Sequence, residues 1–452
     1  MIYDFFISEA LRDFQLMALD RFQDFLSALV AKQRALFVGS EQESIVDLLT
    51  KLMGTSGEVS GIVTARQVLD HYVGLSEDQK LAFFQNLESS FNADETLVNL
   101  AYQAYAKNPC SQTLNKLSLT TEPRRLELLR RLNQTPGATH ELVSMRTDLL
   151  RFLKQQPELK TVDDDFVRMF TSWFGRGFLQ LETINWSTSA AILERIIRYE
   201  AVHEIRDWDD LRSRIDPLNR RCFAYFHPAL VDEPLIFVEV ALLNELPGAI
   251  APILESGGEE AGRSSDFNTA VFYSISNCQP GLRNISFGNF LIKQVVQELQ
   301  SEFPSIKTFV TLSPVPGFSH WLLNKSAEAD DGDRSQLSEL KAEAQALSQN
   351  QTAESITENA DLLRKAVFNY LVQAKKGKFP LDPVARFHLG NGASLHQIHP
   401  RADCSDKGMQ QSLSAMVNYL YDLRSIESNH ESYASEGIVH FNDKLKSLLT
   451  KS

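Results

Sequence analysis

The chain is short of cysteine, of long apolar runs and of positive charge, and each shortage excludes something. Only four cysteines occur in 452 residues: Cys110, Cys222, Cys278 and Cys404. They stand far apart with no CxxC pair, so no disulfide framework or cysteine zinc site is expected, and a reducing compartment is. No apolar run reaches the roughly 18 residues of a spanning helix, so no membrane partner is expected. Lys and Arg number 45 against 58 Asp and Glu, a net charge of −13. That balance argues against nucleic acid as a partner, while leaving room for a local basic patch on phosphates. Acidic residues run through MIYDFFISEALRDFQLMALDRF, unlike a secretory signal or an Arg-rich transit peptide. The terminal LLTKS is not a peroxisomal address. Together these features lead to the expectation of a cytoplasmic protein.

What is present is ample apolar material, 43% of the chain with 28 phenylalanines. The length calls for roughly two or three domains. Residues 1–178 read as helices. Phe14, Met17, Phe22, Phe25 and Leu29 share a helical spacing, as do Ile45, Leu48, Leu49 and Leu52. In RRLELLRRL the leucines 126, 129 and 132 form the apolar face and the arginines a solvated one. The aromatic, glycine-bearing stretch Met169 to Trp186 marks the domain junction. A short amphipathic helix, Ala190 to Tyr199, follows it. Cys222–Phe226 and Leu235–Leu243 read as strands, and Glu255 to Asp266 as a polar loop.

The centre of the chain is Asn268 to Phe318. Thr269 to Ser276 reads as a buried strand, stopped by Gln279, Pro280 and Gly281. Ile292, Val295, Val296 and Leu299 then define a helix with one buried face. Lys307 to Leu312 is a second strand, with Ser313 at its C-terminal end. A glycine-bearing loop that opens a helix offers free backbone N–H groups and a positive dipole end to a phosphate. Ser313 sits on the edge where ligands of α/β sheets bind.

Beyond it, residues 325–359 are acidic, polar and free of aromatics, a mobile segment or a solvated helix and a candidate lid. Leu362 to Val372 returns to helical spacing. DPVARFHLGNGASLHQIHP reads as strand and turn, with Asn391 and Gly392 shaping the turn. Helices near Leu413–Leu423 and Val439–Leu449 close the chain. His71 and His140 read as structural. His320, His396 and His399 lack a carboxylate or cysteine at ligand spacing, so no metal site is read from them.

The ordered motifs FYSISNCQPGLRNISFGNFLIKQVV, TLSPVPGFSHWLL, YEAVHEIRDWDDLRSRI and DPVARFHLGNGASL closely resemble those of the malonyl-CoA decarboxylase family. The resemblance is strongest from about Trp186 onward. It implies an α+β architecture: an all-helical N-terminal domain, residues 1–178, serving assembly, and a mixed α/β catalytic domain of the GNAT acetyltransferase type, residues 179–452, with the acidic insertion near 325–359. It implies conversion of malonyl-CoA to acetyl-CoA and carbon dioxide, no metal or organic cofactor, and a homo-oligomer, dimer or tetramer.

The same resemblance makes Ser313 and His388 the catalytic pair, the serine as proton acceptor or carboxylate contact and the histidine as proton donor. An ordinary imidazole pKa of about 6.5 then leads one to expect an imidazolium donor near neutrality. Arg283, Asn284, Ile285, Ser286, Phe287, Gly288 and Asn289 are implied as the cradle of the CoA diphosphate. Thr311 stands where many relatives have serine, and Gly390 is a further departure. Taken alone, a serine before proline is ordinarily a turn residue, and a histidine between Phe387 and Leu389 is ordinarily a core residue. Two other readings stay open: an acyl-CoA-dependent N-acyltransferase, and a helical interaction protein with a non-catalytic CoA-binding domain.

Overall fold

The computed structural model describes residues 43–255, 267–285, 291–324, 336–349 and 353–450. They divide into two compact units. The first takes the chain up to Phe178, with Pro228–Val231 and Gln279–Ser286; the second takes the rest.

The first unit is helical: Ile45–Gly54, Glu58–Val73, Glu77–Ser90, Glu95–Lys107, Ser111–Thr120, Arg124–Leu132, Ala138–Phe152 and Lys160–Trp173. Ser44, Ser76 and Asp94 start three of them by accepting backbone N–H bonds at the free N-termini. The leucines 48, 49 and 52, and 126, 129 and 132, are buried as their spacing requires. The Phe14–Leu29 pattern lies outside the described residues.

The solvated arginine face expected on Arg124–Leu132 needs correcting. Arg125 is buried and paired with Asp165 of the Lys160–Trp173 helix. Arg146 is fully buried too. Its Nε donates to Asp163 at 2.7 Å, and its Nη1 donates to the carbonyls of Gly281 and Arg283 at 2.7 and 2.9 Å. Gly281 lies so close to the Ala138–Phe152 helix that a Cβ would stand 1.9 Å from the Val143 carbonyl oxygen. The helices Glu95–Lys107 and Ser111–Thr120 pack on each other and bury only Ala101 among their residues.

The expected junction is mostly regular structure. Met169 to Trp173 completes a helix, and Gln180–Ile184 is a strand that the sequence reading did not anticipate. It opens the second unit as β1. The others are β2 Arg220–Phe226, β3 Ile236–Leu243, β4 Thr269–Asn277, β5 Thr308–Thr311, β6 Ser313–Pro314, β7 Lys375–Lys376, β8 Phe379–Pro380, β9 Ser394–His399 and β10 Met416–Leu420. β7 and β8 form a small separate pair. The remaining strands make one sheet in the order β1-β2-β3-β4-β5-β10-β6, with β9 also on β10. Among these pairings only β4–β5 is parallel. Parallel strands need a crossover, and the helix Leu291–Glu302 supplies it, burying Ile292, Val295, Val296 and Leu299.

Three C-terminal expectations are overturned. The stretch around Leu413–Leu423 is not a helix but β10, which pairs with β5, β6 and β9. Its Val and Tyr residues suit a strand, and partners distant in sequence decide it. Val439–Leu449 holds only a 3-10 turn, Asp443–Leu448; the C-terminal helix is Ile426–Glu436. DPVARFHLG is a helix, Pro383–Gly390. Asp382 caps it through the N–H groups of Val384 and Ala385, and Pro383 fills its first position, a start signal with a clear physical cause. The acidic segment is helical over Gln336–Gln349 and Ala353–Glu358. Leu340, Ala344 and Leu347 are buried at a four-then-three spacing, so it has a packed seam and is not solvated all round.

Side chains alternate across β3 and β4. Phe237 joins a core with Ile184, Leu193, Ile196 and Leu211. Glu239, two residues on, is fully buried on that same face. Arg214 Nη1 stands 3.4 Å from its Oε2 and also bonds the His203 carbonyl. Nearby, Glu200 accepts from the hydroxyls of Ser274 and Ser276 and from the N–H of Val202 and His203. Burial, with Glu200 adding to it, pushes the Glu239 carboxyl up to about 8 against the pull of Arg214. At neutral pH its contact with Arg214 is mostly a hydrogen bond to a protonated acid.

Candidate active site

The opposite face of the same strands borders a cavity of about 380 Å³. Its walls are mostly apolar, with Phe272 and Ile275 from β4, Pro314 from β6, and Val384 and Phe387 from the Pro383–Gly390 helix. Ser313 and His388 also line it, as do Tyr273 and Asn277.

Two pieces of local structure aim them. Ser313 pairs with Val417 of β10 directly after the β4–β5 ladder ends, so its side chain turns into the space beside β4. His388 lies one and a half turns into a helix whose start is fixed by Asp382. The other carboxylate oxygen of Asp382 accepts from the Gly317 N–H at 3.4 Å and stands 3.5 Å from the Tyr370 hydroxyl. Gly317 permits this closeness, because a Cβ there would fall 2.2 Å from the Tyr370 oxygen. One buried acid thus ties the turn that follows Ser313 to the helix that carries His388. Beyond that helix Gly392 turns at φ +82°, with the Ile426 carbonyl 2.0 Å from where a Cβ would be. Asn391 caps the helix end by donating to the Phe387 carbonyl.

The result is a chain of four side chains. Ser313 Oγ is 3.0 Å from His388 Nε2. His388 Nδ1 is 2.9 Å from the Tyr421 hydroxyl. Ser313 Oγ donates to Thr311 Oγ1 at 2.9 Å, and Thr311 Oγ1 also accepts from the Tyr419 N–H at 3.1 Å. The Tyr419 ring stacks on His388, centroids 4.7 Å apart. All five residues are buried. Burial pushes the His388 pKa down to about 3. The imidazolium donor expected from the ordinary pKa is therefore corrected: the ring is neutral at physiological pH.

The structure brings Ser313 and His388 together. Of the residues expected on the diphosphate, Arg283 and Asn284 are exposed and Ile285 is buried. They belong to the first unit. Asn284 has φ +66°. Ser286, Phe287, Gly288 and Asn289 lie outside the described residues. Thr311, noted only as a departure, accepts a hydrogen bond from the Ser313 hydroxyl. Tyr419, Tyr421 and Asp382 were missed. Tyr419 and Tyr421 alternate along NYLYD, which a strand reading would have placed on one face. His320 bonds Asn324, His399 bonds Asn418 and His396 lies 3.4 Å from Asn442. Among the described residues no group of three or more His, Cys, Asp or Glu is placed to hold a metal ion.

A helical N-terminal region, a mixed sheet with one parallel crossover and a buried Ser–His pair beside the crossover strand define a class: two-part α+β proteins whose mixed-sheet unit carries the pocket. Comparison with known proteins narrows the class. Residues 177–452 match the family model described as malonyl-CoA decarboxylase C-terminal domain, and residues 91–174 match the N-terminal domain of the same family. The chain belongs to the malonyl-CoA decarboxylase family. It is 32% identical to the mitochondrial malonyl-CoA decarboxylase of Mus musculus, with 84% of each chain covered. Among solved structures it is 47% identical to malonyl-CoA decarboxylase from Rhodopseudomonas palustris, TM-score 0.83, covering 89% of this chain and 98% of that one. For the Agrobacterium vitis enzyme the values are 43%, 0.81, 90% and 100%.

Proposed function

We propose that this enzyme converts malonyl-CoA to acetyl-CoA and carbon dioxide in the Ser313–His388 cavity. The observation that carries the reading is the 3.0 Å Ser313–His388 contact at the wall of a mostly apolar pocket. The bond between the carboxylate and the α carbon breaks, and its electron pair enters the thioester as an enolate. Carbon dioxide leaves and a proton is added to the α carbon, so one solvent proton is consumed per turnover. Ser313 contacts the carboxylate and His388 is the donor to the carbon. Hydrogen-bond donors held in an apolar site stabilise such developing charge more than donors in water do. An imidazole can do this while neutral.

The handle of the substrate falls to the 283–289 loop. Supporting this are the exposed Arg283, the left-handed Asn284 and the anchoring of the preceding carbonyls by Arg146. The helical unit serves assembly into a homo-oligomer. Leu97, Leu100, Tyr102, Leu114 and Leu119 are all exposed on the two helices that bury almost nothing, the surface expected of a subunit contact. Cytoplasmic placement is supported by four free cysteines. No helix among the described residues is long and apolar enough to cross a membrane.

The test is incubation with malonyl-CoA alone. Acetyl-CoA formation without any amine is expected. Turnover only after an amine is added would instead establish an acyltransferase, and failure to bind any CoA ester a non-catalytic module.

A further inference from the structure

The four-membered chain carries information that the pair alone does not. Ser313 has one hydroxyl proton and two neighbours that could take it. The contact with Thr311 is directional, with Ser313 as donor. Thr311 Oγ1 already accepts from the Tyr419 N–H. If Ser313 turned its proton to His388 instead, the 2.9 Å contact with Thr311 would lose it. With the Ser313 proton on Thr311, Ser313 Oγ must accept at 3.0 Å, and the donor there is Nε2–H of His388.

The other ring nitrogen gives the same answer. A neutral imidazole with its proton on Nε2 has a bare lone pair on Nδ1. The Tyr421 hydroxyl stands 2.9 Å from that nitrogen and is buried, 1% exposed, beside Phe272. It satisfies Nδ1 by donating to it. The reverse tautomer would turn Nδ1–H at the tyrosine oxygen and send the phenol proton away from the ring, a costly arrangement for a buried donor.

We infer that Tyr421 is a positioning residue: its hydroxyl donates to Nδ1 and so holds the single ring proton of His388 on Nε2, facing Ser313 and the cavity. The inference rests on the decarboxylase reading for its consequence in turnover, but the tautomer itself is a property of the resting protein. As Nε2–H is given to the α carbon, the Tyr421 O–H stands against the nitrogen where negative charge then gathers. The ring recovers its proton from solvent as product leaves. Tyr419, stacked on the ring, fixes its plane and adds no charge.

Two measurements test this. In the wild-type enzyme at neutral pH, nitrogen-15 shifts of His388 should show a protonated Nε2 and an unprotonated, hydrogen-bonded Nδ1. In Tyr421→Phe, which keeps the ring and removes the oxygen, the two nitrogens should move toward averaged values. Its kcat should fall roughly 10- to 100-fold while KM changes less than about threefold, since the substrate handle is untouched. A wild-type ring protonated on Nδ1, or on both nitrogens, overturns the inference. So does a folded Tyr421→Phe enzyme with kcat within about twofold of wild type. Because the shifts need no turnover, they stand even if malonyl-CoA proves not to be the substrate.

Discussion

The two faces of β3 and β4 bury polar groups to a similar depth and use them in opposite ways. On the cavity side, Thr311, Ser313, His388 and Tyr421 are all uncharged and each hydrogen bond hands on to the next. On the far side, Arg214 is surrounded by Asp210 and Glu239 and by two backbone carbonyls, and one oxygen of Glu239 finds no partner among the described residues. A buried charge must be matched by other charges, and it holds its neighbours rigidly. A buried neutral chain costs less and leaves protons free to be redistributed. The first arrangement suits a scaffold and the second suits proton transfer.

The sharpest way to break this contrast is to remove chemistry from the cavity side. His388→Asn and Ser313→Ala should each lower turnover by about 10²–10⁴-fold, with little change in calorimetric acetyl-CoA binding. If the pair acts as a unit, the double variant should lose less than the product of the two. Near-normal turnover in either folded variant would separate that residue from the reaction.

On the far side the loss should appear in stability instead. Arg214→Met strands Asp210 and two carbonyls, and should cost roughly 3–5 kcal/mol in urea unfolding, as breaking a buried pair does. The kcat of the protein that remains folded should stay within about twofold of wild type. A large fall in kcat without loss of stability would erase the division of labour between the faces.

The pH dependence of stability should also divide. His388 has a folded pKa near 3 against an ordinary value of 6.5. Between these values the unfolded chain binds the extra proton. The contribution of the neutral ring is therefore full above about 6.5 and is lost as pH falls toward 3, by a few kcal/mol at most. Wild type should lose stability over this range more steeply than His388→Asn, and equal slopes would contradict the burial of the ring.

The smallest effect belongs to Glu239→Gln. The carboxyl has a raised folded pKa, about 8 against 4.5, so its contribution is full below about 4.5 and is lost as pH rises through 8. An amide of the same shape should change stability by less than about 1 kcal/mol near pH 5 and flatten the fall on the alkaline side. A loss of several kcal/mol at pH 5 would show that the acid is ionised and paired with Arg214.

Much of this was legible in the sequence where the signal was local. The β4–helix–β5 unit, the helix Ala190–Tyr199 and the apolar faces of the N-terminal helices follow from periodicity and stop residues. Ser313 and His388 were pointed to only by the resemblance that the motifs carry together, and the structure places them 3.0 Å apart. The misses have a common cause. β10 is a strand because it pairs along its length with β9 and is inserted between β5 and β6, more than a hundred positions away in the chain, and no pattern within the segment itself states that. Tyr421 then enters the site only through β10. The helix of His388 was announced by Asp382-Pro383, but the glycines at 390 and 392 drew attention to the turn instead. The buried Arg125 and Arg146 look in sequence like any solvated arginine, since only their partners Asp165 and Asp163 distinguish them.

The Asp382 carboxylate joins Gly317 to the start of the His388 helix, and that bond closes the intervening chain into a ring whose ends meet at 3.4 Å. Everything between Phe318 and Leu381, including the acidic helices, is an excursion that leaves and returns to one point. The closure penalty for such an excursion grows only with the logarithm of its length. Evolution can therefore lengthen or shorten its acidic part, residues 325–359, while the buried helix Ala360–Gln373 and the Ser313–His388 distance stay fixed. This is where orthologues should differ most in length while keeping the same reaction.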